Sequence, residues 1–240
     1  LPSICKRNPG ERGDRILTTK HVLPADIERT SMQMIDDELS KRGIVLSTEN
    51  AAVVKRVIHT TADFDYAETL RFTPGAVSGG LSALSAGTAI VTDTNMALAG
   101  ISKPAMRKLG GAAYCFMADR DVAEFAAKRE TTRAAASMFL AASRYPNAVY
   151  AVGNAPTALL ELCAQMQAGL RPALIIGVPV GFVNVEESKL RLLDLCLKNG
   201  TPAIISLGRK GGSNVAAAIC NALLYAASGT LDPTSRGWRG

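Results

Sequence analysis

ALIIGVPVGFVNVEESKLRLLDLCLKNGTPAIISLG, residues 173–208, passes from one short apolar run to another through a single helical stretch. The first run, ALIIG, ends in a turn marked by Gly177, Pro179 and Gly181. EESKLRLLDLCLKNG follows, with an acidic first turn and Gly200 as its stop, and AIISL closes the stretch. Short apolar runs without polar alternation, bounded by Gly and Pro, are what strands buried on both faces require. The stretch therefore reads as strand, helix, strand in a parallel sheet.

The same rhythm extends back to about residue 85. Further strands are expected at 88–93 (TAIVTD), 112–117 (AAYCFM) and 148–153 (AVYAVG), beside those at 173–177 and 203–207. PTALLELCAQMQAG places Pro156 at a first helical position after Asn154 and stops at Gly169, and the alanine-rich segment 121–143 is expected to form one long helix. The fold class is α/β, with a mainly parallel five-stranded sheet and an N-terminal helical segment. In that segment, residues 24–42 put Ile27, Met34, Ile35 and Leu39 on one stripe. Ser31 shares the stripe, where a small polar residue serves either close helix packing or a cleft wall. AAVVKRVIHT, 51–60, reads equally as a strand or as the end of a helix, because periodicity alone does not separate them.

The 240 residues are expected to form a single domain, with 48% hydrophobic residues spread evenly and no apolar run long enough to span a bilayer. LPSICKRNPGERGDR at the N-terminus carries charge where a secretion signal would be apolar, so the expected location is the cytoplasm. The five cysteines, Cys5, Cys115, Cys163, Cys196 and Cys220, are scattered through apolar segments without a nearby histidine. They are expected to be free buried thiols and not a metal site. A net charge of +6 points to an anionic partner. Dispersed basic residues and 5% aromatics argue against nucleic acid and favour a small polyanion in a pocket.

Chemistry has few places to reside. His59 is one of two histidines, and Thr60, Thr61, Asp63 and Asp65 beside it are of the kind that fix an imidazole tautomer and hold its proton affinity near neutrality. Its plainer role is a satisfied structural residue. His21, between Lys20 and Val22, has no such company and suits the surface. GRKGGSN, 208–214, follows the last strand and opens a helix, the place where backbone N–H groups attract anions. It lacks the order of a nucleotide phosphate loop, so Arg209, Lys210, Gly211 and Gly212 read either as an anion site or as a charged glycine turn with Ser213 as N-cap. In GVPVGFVN, Gly177 and Gly181 either let backbone approach a ligand or simply turn the chain, and Phe182 has a face to offer a flat ring.

Six ordered stretches resemble the precorrin-8X methylmutases of cobalamin biosynthesis, in both the cobalt-free and the cobalt-containing branch. They are VVKRVIHTTADFDYAETLRFTPGAV (53–77), VTDTNMALAGI (91–101), TRAAASM (132–138), GNAPTALLEL (153–162), GVPVGFVNVEESK (177–189) and GRKGGSNVAAAICNALL (208–224). The resemblance covers about residues 24–225. It implies a flavodoxin-like α/β/α fold, a homodimer, and an isomerase that moves a methyl group from C11 to C12 of the macrocycle without a redox cofactor. It also implies that His59 is catalytic, protonating the macrocycle and so favouring a 1,5-sigmatropic shift.

The implied substrate is a flat tetrapyrrole bearing many carboxylates, which accounts for the basic charge. Arg133 then becomes the leading carboxylate clamp, with Arg209, Lys210 and the backbone of Gly211–Asn214 at the rim. Ser31 becomes a pocket residue, and Thr92, Asp93 and Asn95 either line the ring or cap the following helix. Ala62 stands where the family commonly has glycine. The tails, 1–23 and 226–240, have no implied role, and Trp238 is expected to lie outside the fold. The rival readings are a tetrapyrrole-binding protein without activity and a phosphate-handling enzyme using GRKGGSN.

Overall fold

The computed structural model describes residues 23–236. His21, Cys5 and Trp238 lie outside the described residues. Helices α1 (Pro24–Lys41), α2 (Ala51–Thr61) and α3 (Tyr66–Thr69) lead into strand β1 (Leu70–Phe72), helix α4 (Ala76–Ser85) and strand β2 (Ile90–Thr92). Next come α5 (Asn95–Gly100), α6 (Lys103–Lys108), β3 (Ala113–Tyr114), α7 (Arg120–Lys128), α8 (Arg133–Arg144) and β4 (Val149–Val152). The chain closes with α9 (Pro156–Gln167), β5 (Leu174–Gly177), α10 (Val185–Asn199), β6 (Ala203–Ser206), α11 (Ser213–Ala227) and a 3₁₀ turn, Pro233–Arg236.

All five expected strands are present, but the sheet has six. Its order is β1-β6-β5-β4-β2-β3, with β1 antiparallel to β6 and every other pair parallel. The additional strand is LRF, too short and too polar at Arg71 to register as an apolar run; its pairing with Ile204, Ile205 and Ser206 makes it a strand. The sheet is therefore mixed. The order of winding switches between the parallel neighbours β2 and β4, from which the crossovers run outward to opposite edges, and open α/β sheets bind ligands at the carboxyl ends of such strands.

Alternate residues along each strand feed two cores. Ile90, Val149, Leu174, Ile176 and Ile204 face the layer built from α1, α2, α4, α5, α6 and α11. Val91, Tyr150, Ile175, Ala203 and Ile205 face α7–α10. Both faces are covered, which is why the strands lack polar alternation.

Three local expectations change. AAVVKRVIHT is helical: Val53, Val54, Val57 and Ile58 fall at helical spacing and are buried, a pattern that outweighs the strand preference of valine and isoleucine. Segment 121–143 is two helices, α7 and α8, because Glu130 adopts φ 50° and Thr132 starts a new helix by accepting the Ala135 N–H. The α1 stripe is only partly covered: Ile35 and Leu39 are buried, whereas Ile27 and Met34 remain exposed.

Candidate active site

His59 sits in the last turn of α2, and its partner comes from α1. Ser31 Oγ and His59 Nδ1 are 2.8 Å apart. A hydroxyl donates to a neutral ring nitrogen and accepts from a protonated one, so this pair survives a change in the charge of the imidazole. Nε2 is left for other partners. The residues next to His59 in sequence do different work. Thr60 and Thr61 donate back to the carbonyls of Arg56 and Val57, at 2.9 and 2.8 Å. Successive residues of a helix point in different directions, so sequence adjacency does not bring hydroxyls to the ring. Asp63 and Asp65 face the β6–α11 loop, where Lys210 Nζ donates to both, at 2.6 and 2.5 Å.

Burial pushes the proton affinity of His59 below that of a free imidazole; the positive charge of Arg56 adds to this, Glu28 opposes it, and Arg236 contributes in the same sense as Arg56. Ala62 ends α2 with φ 54° while its N–H bonds the Ile58 carbonyl at 2.7 Å. A left-handed residue here is where glycine costs least.

The imidazole lines a cleft of about 420 Å³ together with Ser31, Met34, Ile35, Asp37, Glu38, Lys41, Ile58, Ala62 and Phe64. This volume lies in the lower half of the range for ligand sites, so a macrocycle seated here extends beyond it over the surface. Glu38 is paired with Arg42 at 2.8 Å, and the Arg42 guanidinium lies 4.4 Å from the centre of the Phe64 ring. A somewhat larger cleft, about 460 Å³, opens among Ser102, Lys108, Tyr225 and Arg236. Lys108 there donates to the Ser228 carbonyl and Arg236 to Glu28, and the cleft differs from the first in holding no acid–base pair.

The glycine-rich loops at the carboxyl ends of the strands pack on one another. A Cβ on Gly211 would stand 2.1 Å from the Val178 oxygen, and one on Gly153 would stand 2.7 Å from the Gly212 oxygen. Gly177 backs directly onto Leu192, and Gly181 turns the chain at φ 144°. Backbone packing thus accounts for these glycines, and the phosphate-loop reading loses its main support. Arg209 pairs with Glu186 at 2.8 Å and lies over the ring of Phe182, which is 82% exposed.

Beneath this loop is a residue the sequence reading passed over. Lys189 is fully buried and donates to Ser206 Oγ, the Gly208 carbonyl and the Lys210 carbonyl at 3.2, 2.7 and 2.8 Å. Burial lowers its pKa to about 8, with Glu186 opposing. Its only trace in the sequence is a lysine among residues of helical apolar spacing.

Thr92 and Asp93 face inward. Thr92 Oγ1 donates to the Thr94 and Tyr114 carbonyls, and the Asp93 carboxylate accepts the N–H groups of Gly153, Asn154 and Ala155 at 2.8–2.9 Å. Burial raises the pKa of Asp93, with those three donors opposing. Neither side chain is open to a ligand, and neither caps the next helix. The cap is Thr94, which accepts the Ala97 N–H, a missed residue of a type favoured at that position. Asn95 is exposed at the first position of α5. Ser213 is not an N-cap either: it is the first residue of α11, and its hydroxyl meets Thr94 Oγ1 at 2.8 Å.

Arg133 is exposed at the start of α8, in the layer opposite α1 and α2, and does not line the His59 cleft. Among the described residues, no cluster of His, Cys, Asp and Glu is arranged to hold a metal, and no helix is long and apolar enough to cross a membrane. Cys163, Cys196 and Cys220 are buried free thiols, and Cys115 is half-buried.

Known proteins are similar to this chain along most of its length. A family model described as precorrin-8X methylmutase matches residues 26–226. The cobalt-precorrin-8 methylmutase of Leptospira interrogans is 43% identical over 211 residues, 86% of this chain and 95% of that one. The precorrin-8X methylmutase of Pseudomonas aeruginosa is 39% identical over 201 residues, 82% of this chain and 93% of that one. A solved structure of precorrin-8x methyl mutase from Thermus thermophilus superposes with a TM-score of 0.76 at 38% identity, covering 85% of this chain and 98% of that one.

Proposed function

The chain belongs to the precorrin-8X methylmutase family, and on that premise we propose that His59 is the acid that drives its methyl shift. The enzyme is an intramolecular methyl-shifting isomerase of cobalamin biosynthesis. In our reading it moves a methyl group from C11 to C12 of precorrin-8X, or of its cobalt-containing counterpart, giving hydrogenobyrinate or cobyrinate. Migration within one molecule leaves atoms and electrons balanced, so the reaction needs no redox partner. His59 lends a proton to the macrocycle through Nε2, the migrating carbon leaves one ring carbon as it bonds the next, and the proton is recovered. The Ser31–His59 hydrogen bond carries this reading, because it orients the ring and tolerates both charge states.

Substrate carboxylates are held in this reading by Arg133, Arg209 and Lys210, with Phe182 against the ring face and Ser31 and the loop 211–213 at the wall. Asn95 is placed at the rim. Because Arg133 lies on the layer opposite His59, a homodimer is the arrangement that we propose completes the site, acting in the cytoplasm. The winding of the five parallel strands is taken as flavodoxin-like with an added antiparallel edge strand.

The test is the visible spectrum of the protein mixed with enzymatically prepared precorrin-8X or cobalt-precorrin-8, beside the same mixtures with His59→Ala. General acid catalysis typically contributes about 10²- to 10⁴-fold, so the variant should bind the pigment and convert it slower by that order. Conversion by the variant at the wild-type rate would remove His59 from the chemistry. Pigment binding without conversion by the wild type, on both substrates, would make the protein a binder.

A further inference from the structure

The family match stops at residue 226, yet the chain beyond it returns to the histidine. Arg236, in the closing 3₁₀ turn, has a side chain only 8% exposed. Its Nη1 donates to both oxygens of Glu28 at 2.8 Å, while Nε and Nη2 donate to the Thr230 and Leu231 carbonyls at 2.8 and 2.7 Å. The guanidinium lies 3.9 Å from the centre of the Tyr225 ring of α11. All three nitrogens of its donor fork are used.

Glu28 also accepts from Arg56 at 2.6 Å, so one carboxylate, 14% exposed, bridges two guanidinium groups. The spacing gives this bridge its meaning. Glu28 precedes Ser31 by three residues on α1, and Arg56 precedes His59 by three on α2, so each pair lies one helical turn apart on the same seam. The charge bridge therefore forms one rung of the α1–α2 contact and the Ser31–His59 bond forms the next.

We propose that Arg236 is a positioning residue for His59: by fixing the Glu28 carboxylate it sets the register of α1 on α2 that holds Ser31 against the imidazole, and it makes the adjoining rung net positive. The proposal rests on the reading of His59 as the reacting group. The other charged groups around the ring are Asp37, Glu38 and Lys41 of α1; Asp36 of α1 pairs with Lys55 of α2 at 2.7 Å, Asp63 in the loop after α2 pairs with Lys210 of the β6–α11 loop, and Tyr225 stands behind the two arginines. Of these pairs, the Glu28 rung is the one that lies a single helical turn from the histidine pair on both helices. Without Arg236 the rung becomes neutral, and the imidazole should hold its proton more strongly; without the Glu28 charge two cations remain, and it should hold its proton more weakly.

The opposed signs make the test. The chain has two histidines, so their ring ¹H–¹⁵N signals can be assigned with a His21→Gln control and titrated in the full-length protein without substrate. Arg236→Met is expected to shift the titration of His59 upward, Glu28→Gln downward, and Arg236→Lys to leave it near wild type. With substrate, Arg236→Met should lower kcat about tenfold, a fraction of the loss that displacing a reacting group by an ångström brings, with KM little changed, and Arg236→Lys should restore most of it. Shifts of the same sign in Arg236→Met and Glu28→Gln, or none, would overturn the proposal, as would a loss of kcat that Arg236→Lys does not restore. If Arg236→Met does not fold, Arg236→Gln supplies the neutral side chain, and a His59 shift in it that fails to oppose that of Glu28→Gln overturns the proposal. Failure of His59 as the acid is seen separately, in a His59→Ala variant that retains turnover while the titration shifts persist.

Discussion

Lys210 and Asp63 are 147 residues apart in sequence and 2.6 Å apart in space. Their contact, with Asp65 as a second acceptor, latches the β6–α11 loop to the loop that follows His59. The latch is exposed, and exposed ion pairs contribute little to global stability. Lys210→Met should therefore leave the melting temperature nearly unchanged while raising KM for the anionic pigment several-fold. Thermal denaturation beside steady-state kinetics checks this; a large fall in stability with unaltered KM would make the latch purely structural.

Ser31→Ala removes the only side-chain hydrogen-bond partner of the imidazole among the described residues. A hydrogen bond of this kind contributes about 0.5–1.5 kcal/mol, which corresponds to a fall in kcat of roughly 2- to 13-fold if the bond matters only in orienting the ring. Product affinity should not change. Kinetics at saturating substrate and titration with the product chromophore separate the two.

The pH response follows from the lowered proton affinity of His59. In the free protein burial and Arg56 favour the neutral imidazole, and bound carboxylates should raise its affinity for a proton. Turnover is expected to fall as pH rises, with the limb in kcat lying above the pH at which the free protein's imidazole titrates. A limb in the opposite sense would mean that the neutral ring acts as hydrogen-bond donor. For stability the sign is fixed by proton counts: just below the ordinary value of 6.5 the unfolded chain binds more protons, so the fold loses stability as pH falls through that range, and His59→Gln should remove this component.

Ala62 holds a left-handed conformation at φ 54°, which costs a residue with a Cβ about 1–2 kcal/mol. Glycine has no such cost but loses more backbone entropy on folding, so Ala62→Gly should gain roughly 0.5–1 kcal/mol in urea denaturation. Ala62→Val should lose stability at the same site.

Lys189→Met strips donors from Ser206 and from the Gly208 and Lys210 carbonyls, and the expected loss is on the order of 3 kcal/mol at pH 7. Between about 8, its folded value, and 10.5, its ordinary one, the unfolded chain carries the extra proton. Wild-type stability attributable to this lysine should thus rise with pH over that window and be flat in the variant. Denaturant midpoints at pH 7 and pH 9.5 supply the comparison.

The five parallel strands were legible because burial on both faces leaves uninterrupted apolar runs between glycines and prolines, as in ALIIG and AIISL. LRF was not legible, since its extended state comes from β6, more than a hundred residues away. His59 stood out by its motif, whereas the place of Ser31 on the α1 stripe left it open between helix packing and a cleft wall until the hydrogen-bond geometry put its hydroxyl on the His59 ring. The work of Asp63 and Asp65 was misassigned because sequence proximity stood in for direction: both carboxylates point to Lys210. Glu28, Arg56 and Arg236 carried no local signal at all. Each is an ordinary solvated charge until tertiary contact brings the three together.

The antiparallel edge has a bearing on how the molecule is made. Leu70 lies in register with Ser206, so the segment directly after the histidine helix waits for one of the last strands to be synthesised. During translation at roughly 5–20 residues per second, that segment and the apolar face of α2 stay uncovered for several seconds after leaving the ribosome. The lining of the Ser31–His59 cleft, all within residues 31–64, is made early, whereas α11, against which α2 packs, is made last. A nascent chain stalled before residue 203 would present an open sheet edge at β5, the kind of surface that chaperones hold and that otherwise seeds aggregation.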